Sequence, residues 1–111
     1  MKTLMDYVFW YHKDVIAYKP AASVVSCRRA GATAALEQMN MYLLFNNMPL
    51  VSSCYWSMVH GNKPEEVAQD EEGLQTMRNN MSWLLKCIEV GGQAGIALPE
   101  KEPVKRTNFI R

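Results

Sequence analysis

Two adjacent arginines, Arg28 and Arg29, stand between an apolar run and a glycine in SVVSCRRAGAT, residues 23–33. The apolar run is typical of a buried strand, and the residues after Gly31 begin a helical pattern. Where a strand feeds a helix, the helix presents unpaired N–H groups and a positive partial charge, and open α/β sheets bind their ligands there. These residue types therefore predict a loop that binds an anion or an electron-rich ring, with Gly31 allowing close approach of the backbone.

A second group of side chains with binding potential, Tyr55, Trp56 and His60, follows another apolar run. An aromatic ring at this position can stack on a planar ligand, and packing in the core is the alternative interpretation. The arginine pair also has an alternative, as a solvated loop or as partners of the acidic residues after Pro64. Three scattered cysteines and two distant histidines do not match a metal-binding or disulfide pattern.

Composition limits the classes of function. The 111 residues are 49% hydrophobic and 21% charged, which predicts one globular domain over residues 1–111. A formal charge of +1 argues against nucleic acid and anionic membranes as partners. No apolar run approaches the ~20 residues of a membrane span, and no targeting segment is recognisable at the start, so we expect a cytoplasmic protein.

Hydrophobic periodicity predicts an α/β order for the first half of the chain. A pattern at helical spacing comes first, an apolar strand follows Pro20, and a second strand follows Pro49. Strand, helix and strand over this length form a parallel βαβ unit. The predicted elements are a helix from Leu4 to about His12, a connection over residues 14–20, strands at 21–25 and 50–53, and a helix from Ala32 to the Asn46-Asn47 pair.

The second half of the chain is predicted to be helical with an extended tail. Asn62 is expected to cap a short acidic helix that starts near Pro64. Gly73 is expected to separate it from a longer helix that covers the sheet and ends at Gly91-Gly92. Residues 97–111 contain two prolines among charges and are predicted to be an extended tail.

Several stretches of the chain resemble a known family. They are AYKPAASVVSCRRAGATAALEQMNMYL, MPLVSSCYWSMVHG, DEEGLQTMRNNMSWLLKCIE and the closing TNFIR. In this order they resemble the C-terminal half of bacterial NADPH-dependent FMN reductase-like flavoproteins of the flavodoxin fold. The resemblance implies a truncated three-layer αβα domain whose two parallel strands correspond to the family's fourth and fifth strands.

The same resemblance implies FMN as cofactor, NAD(P)H as reductant and a small-molecule electron acceptor. The family's phosphate-binding half has no counterpart in this sequence, so a non-catalytic remnant or an oligomerising module that does not hold FMN by itself is the alternative. Catalytic residues are not identified, and no metal is expected. The residues that the resemblance places at the flavin are Ser26, Cys27, Arg28, Arg29, Gly31 and Thr33. Trp56 is added to this cofactor-binding set because its ring could stack on the flavin or on nicotinamide.

Two strands are too few to bury both faces of an apolar sheet in a monomer. We therefore expect a homodimer or larger homo-oligomer, formed through the free edge of the first strand and the neighbouring helices. Val24, Val25 and part of the first helix would be buried there, and residues 107–110 would contact the partner.

Overall fold

The structure is a computed structural model that describes residues 1–107. This part of the chain forms five helices and two strands. In chain order they are α1 (Lys2–Tyr11), α2 (Lys13–Ile16), β1 (Val25–Cys27), α3 (Ala32–Phe45), β2 (Met58–His60), α4 (Pro64–Val67) and α5 (Glu71–Ala94).

The two strands form a parallel sheet that is crossed by a helix. Val25 is the partner of Met58, and Cys27 is the partner of His60. Helix α3 connects the strands and contacts both of them, while α5 contacts β2. The mixed α/β class with a parallel βαβ unit, predicted from periodicity, is confirmed.

The predicted strand boundaries were wrong. Residues 21–25 and 50–53 share a single parallel bridge, between Ala21 and Leu50, and the regular ladder begins only at Val25 and Met58. Val25 follows the bridge residue Ala21 by four positions, whereas Met58 follows its bridge residue Leu50 by eight. The extra residues form a loop at 52–56, which we call the excursion. It ends just before Ser57, and the ladder begins at Met58.

Two backbone hydrogen bonds hold the ends of the excursion. The Val51 N–H donates to the Ala21 carbonyl at 2.8 Å, and the Val25 N–H donates to the Ser57 carbonyl at 3.0 Å. Val51 and Ser57 are both buried. The excursion therefore begins and ends on fixed points of the sheet.

The helix boundaries also differ from the expected ones. A short helix, α2, replaces part of the predicted connection at 14–20, and α4 is capped by Lys63 rather than Asn62. Helix α5 continues through Gly91 and Gly92 and ends at Gly95, which has a left-handed φ of 55°. A glycine inside a helix costs only about 1 kcal/mol, so a pair of them need not stop it.

Gly73 does not separate two helices but lies in the first turn of α5. A Cβ at this position would lie 2.9 Å from the Met58 carbonyl oxygen. The absence of a side chain thus allows α5 to approach the backbone of β2 closely.

The apolar core is small. Among residues 1–107, the buried hydrophobic side chains are Ala32, Leu36, Leu43 and Val51. Along α5, Leu74 and Met77 are half-buried, whereas Leu85 and Ile88 are exposed. Leu84 and Cys87, in the second half of α5, are also half-buried, so the predicted stripe continues along the helix but is covered only in part.

Buried polar contacts join the elements around this core. The Asn80 side chain is 4% exposed and donates from Nδ2 to the Val51 carbonyl at 3.0 Å. Ser53 donates from Oγ to the Thr76 carbonyl at 2.7 Å, and Ser23 donates to the Asn40 side chain. The first two contacts attach α5 to the segment that leads into β2.

Asn80→Ala should lower the free energy of unfolding by about 1–3 kcal/mol, because the Val51 carbonyl would stay buried without its donor. Urea unfolding followed by circular dichroism measures this change. The exposed Gln75→Ala in the same helix is the control and should shift stability by less than about 0.5 kcal/mol. Equal effects of the two substitutions would contradict the structural role of Asn80.

Candidate functional site

The loop after β1 contains the arginine pair at the carboxyl edge of the sheet. Cys27 is half-buried, while Arg28 and Arg29 are exposed. Within residues 1–107 neither arginine forms an ion pair, so the alternative in which they pair with the acidic helix is not observed. Their guanidinium groups are accessible to an anionic ligand.

Gly31 ends this loop as the N-cap of α3. Its φ of 87° lies in the left-handed region, which a residue with a side chain rarely adopts. Nothing lies within 4 Å of the place where a Cβ would stand. The glycine is therefore required by the turn of the backbone rather than by crowding, and the space beside it is open.

The second strand ends at the same edge of the sheet. The Gly61 N–H donates to the Cys27 carbonyl at 3.0 Å, which joins the two loops that follow the strands. His60 is opposite Cys27 in the ladder, and its side chain is about half exposed, at 47%. Because neighbouring residues of a parallel sheet point to the same face, the thiol and the imidazole lie on one side of the sheet.

Asp70 holds the backbone of His60 in place. One carboxylate oxygen accepts from the His60 N–H at 2.7 Å, and the other accepts from the Gly73 N–H at 2.9 Å as the N-cap of α5. The His60 Nδ1 atom lies 3.6 Å from the same carboxylate. The hydrogen bond from Gly73, followed by that from His60, holds the pKa of Asp70 below its usual value.

The sequence predicted Trp56 at the carboxyl end of a strand. In the structure it lies in the excursion that precedes β2. The reason is that the ladder begins at Met58, after the tryptophan rather than before it. Its ring is 57% exposed, which does not fit the alternative of packing in the core. Instead, Trp56 lies over the first turns of α3.

The structure brings together two of the predicted site residues. Thr33 and Trp56 line a common cleft of about 310 Å³, and the other lining residues are Leu36, Glu37 and Asn40. Ser26 and Cys27 lie in β1 instead, and Arg28, Arg29 and Gly31 lie in the loop that follows it; Ser26 is exposed. The sequence prediction thus covers two regions: a basic loop that precedes α3 and an aromatic cleft along the first half of α3.

Asp70 and Asn40 were not predicted as site residues. A carboxylate three residues before Gly73 matches an N-cap pattern, which is a signal for Asp70 in the sequence. Asn40 has no such signal, because its place in the cleft depends on the excursion folding back over α3. The accessible cations of the loop can bind an anion, and the exposed ring in the cleft can stack on a planar group.

No protein-family model, curated protein or solved structure matches this chain. Among residues 1–107, no helix is long and apolar enough to span a bilayer.

Acidification should test the Asp70 contacts. A carboxyl group whose folded-state pKa is lowered stabilises the fold fully above its ordinary pKa of 3.8, and this stabilisation is lost as the pH falls below 3.8 through the folded-state pKa. Asp70→Asn should therefore flatten the acid limb of the plot of unfolding free energy against pH. Chemical unfolding at a series of pH values measures the slope.

The exposed Glu72→Gln is the control for this experiment, because Glu72 lies in the same first turn of α5. It should leave the acid limb close to that of the unaltered chain. An unchanged slope in Asp70→Asn would show that these hydrogen bonds do not stabilise the folded state in solution.

Proposed function

We propose that this chain is the C-terminal part of a flavodoxin-like domain that binds FMN in an NAD(P)H-dependent oxidoreductase of the FMN reductase type. The observation that carries the proposal is the β1–α3–β2 unit, whose carboxyl edge carries the basic loop and whose helix α3 lines the Trp56 cleft. The choice of FMN rests on the resemblance of the sequence stretches around this unit. A ligand at this edge follows the general rule for open parallel sheets.

The residues of the basic loop and of the Trp56 cleft suit different parts of a flavin. Trp56 offers an exposed ring face for stacking, and Thr33 offers a hydroxyl in the same cleft. Arg28 or Arg29 places positive charge beside the electron-rich edge of the ring system. Such a charge stabilises the anionic reduced form and raises the reduction potential.

When bound, FMN would take a hydride from NAD(P)H and pass electrons to a small-molecule acceptor. The contribution of this chain is to bind and orient the ring system and to tune its charge. No residue of this chain is assigned to the phosphate of FMN, because the resemblance places the phosphate-binding turn in the N-terminal half of the family's domain.

A second candidate function is an oligomerising module that does not hold FMN by itself. The observation that favours it is the imbalance between the small core and the exposed surface. Among residues 1–107, four buried hydrophobic residues contrast with exposed fractions of 53–68% for side chains such as Trp10, Trp83 and Leu98. A chain with this surface is suited to association.

Titration of the purified chain with FMN, followed by flavin fluorescence and by absorption near ~450 nm, distinguishes the two functions. For a flavin-binding chain, Arg28→Ala with Arg29→Ala should raise the Kd by about tenfold or more, which corresponds to about 1.4 kcal/mol of lost binding free energy. Folding stability should change little, because both side chains are exposed.

Arg78→Ala is the matched control, since Arg78 is an exposed arginine on α5. It should leave the Kd unchanged. If Arg78→Ala weakened FMN binding as much as the loss of Arg28 and Arg29, the effect of the pair would be explained by non-specific charge. A chain that takes up no FMN would reject the flavin-binding proposal for this chain and favour the oligomerising module.

A further inference from the structure

A groove between α1 and α3 is lined by aromatic rings and one carboxylate. It has a volume of about 410 Å³, and we call it the aromatic groove. This volume falls within the range of small-molecule sites, about 300–1,000 Å³, and it suits one small ligand rather than an extended chain. The lining side chains are those of Tyr7, Phe9, Trp10, Tyr11, Tyr42 and Phe45, together with the carboxylate of Asp6.

We propose that the aromatic groove binds a small organic cation with an alkylated ammonium group, such as choline. The proposal goes beyond flavin binding and does not depend on it, because no residue of the groove belongs to the basic loop or to the Trp56 cleft.

The walls of the groove are formed before any ligand arrives, because rings from both helices pack on one another. The rings of Trp10 on α1 and Phe45 on α3 are stacked nearly parallel, at 6°, with their centroids 5.8 Å apart. Phe9 and Tyr42 form a second pair at 5.5 Å, tilted by 59°. The rings therefore present their faces in different directions, which suits the rounded head of an alkylated ammonium ion.

Ammonium groups of the chain itself already lie against two rings of the groove. The face of an aromatic ring carries partial negative charge and attracts a cation within about 6 Å of the ring centroid. The Lys13 Nζ atom lies 5.0 Å from the centroid of the Phe45 ring, and the Lys2 Nζ atom lies 6.0 Å from that of Tyr42. These contacts show which charge the rings of this groove attract.

Trp10 is the ring that stays open for a ligand. Among aromatic side chains, tryptophan gives the strongest contact with a cation. One face of its ring lies on Phe45, and the residue is 68% exposed, so the other face is accessible. Within residues 1–107, no lysine or arginine lies over this ring. A cationic ligand can therefore occupy the free face without displacing a side chain from it.

Asp6 supplies a negative charge that an apolar groove alone would lack. Its carboxylate accepts a hydrogen bond from the Tyr42 hydroxyl and lies 3.9 Å from the Lys2 Nζ atom, and both contacts use Oδ1. In the described part of the chain, Oδ2 forms neither a hydrogen bond nor an ion pair. This oxygen can face the charge of a bound cation.

The combination of rings and carboxylate selects the class of ligand. A neutral apolar molecule would gain nothing from the charge of Asp6, whereas a cation is attracted by the carboxylate and by the ring faces. Methyl groups on the nitrogen favour binding over a primary ammonium group, because their apolar surface is buried against the rings. An alkylated ammonium ion therefore matches both components of the groove.

Titration of the full chain with choline chloride, followed by the NMR signals of the three tryptophan indole N–H groups, tests the proposal. The Trp10 signal should shift with a Kd on the order of 1 mM, as expected for a ligand of this size. Trp83 is a comparably exposed tryptophan (53%) on α5, and its signal should stay in place. Potassium chloride at equal concentration is the control for ionic strength. A Trp10 signal that does not move at about ten times this Kd would overturn the proposal.

The uncharged analogue of choline, in which a tert-butyl group replaces the trimethylammonium group, separates charge from shape. It should bind at least about tenfold more weakly than choline, since it keeps the apolar surface and loses the attraction to the rings and to Asp6. Equal Kd values for the two compounds would overturn the proposal, because the groove would then bind apolar groups regardless of charge.

Two charge substitutions should move the Kd of choline in opposite directions. Asp6→Asn should raise it about threefold or more, because it removes the negative charge and keeps an oxygen that accepts from Tyr42. Lys2→Gln should lower it, because the ammonium group that competes for the carboxylate is removed. Glu71→Gln and Lys86→Gln are the matched controls on α5, where both residues are exposed, and they should leave the Kd unchanged.

Circular dichroism of each variant separates lost binding from unfolding. A folded Asp6→Asn chain that binds choline as tightly as the unaltered chain would overturn the proposal. If Asp6→Asn loses helical signal, the comparison of choline with its uncharged analogue on the unaltered chain decides.

Discussion

Parallel pairing of two three-residue strands is the interaction on which the rest of this structure depends. It joins residues more than thirty positions apart, and it fixes where α3 must cross and where both loops at the carboxyl edge must emerge. Parallel pairs need such a crossover, and a right-handed one is almost universal. The basic loop and the start of α3 owe their common position to this ladder.

So short a ladder is reinforced by side chains that hydrogen-bond to the backbone. Asn80 and Ser53 connect α5 to the segment before β2, and Asp70 connects the first turn of α5 to the end of β2. A core with few apolar residues gives little information about register, whereas a buried amide or carboxylate is satisfied in only one arrangement. The polar contacts thus specify the position of α5, and burial of its apolar residues stabilises its packing on the sheet.

Periodicity in the sequence predicted α1, α3 and the parallel βαβ unit, because long helices and apolar runs have strong local signals. The strand boundaries were wrong because pairing is a non-local property, and the apolar residues at 50–53 and 58–60 look equally suitable for it. For the site, the sequence placed Thr33 and Trp56 in one region, and they share a cleft. The hydrogen bond from His60 to Asp70 has no local pattern, since it depends on how closely α5 approaches β2. The expectation for residues 107–110 falls mostly outside the described residues.

A continuous strand would both hold the register of the sheet and present side chains to the cleft. The excursion at 52–56 separates these two roles. Its ends are fixed by backbone hydrogen bonds, which do not depend on the identity of the side chains between them. Residues within it other than Ser53, whose hydroxyl holds α5, can therefore be exchanged while the ladder stays in register, and lengthening a closed loop costs little entropy. Because Trp56 reaches the cleft from this loop, the lining of the cleft can change over evolution while the paired strands and α3 stay the same.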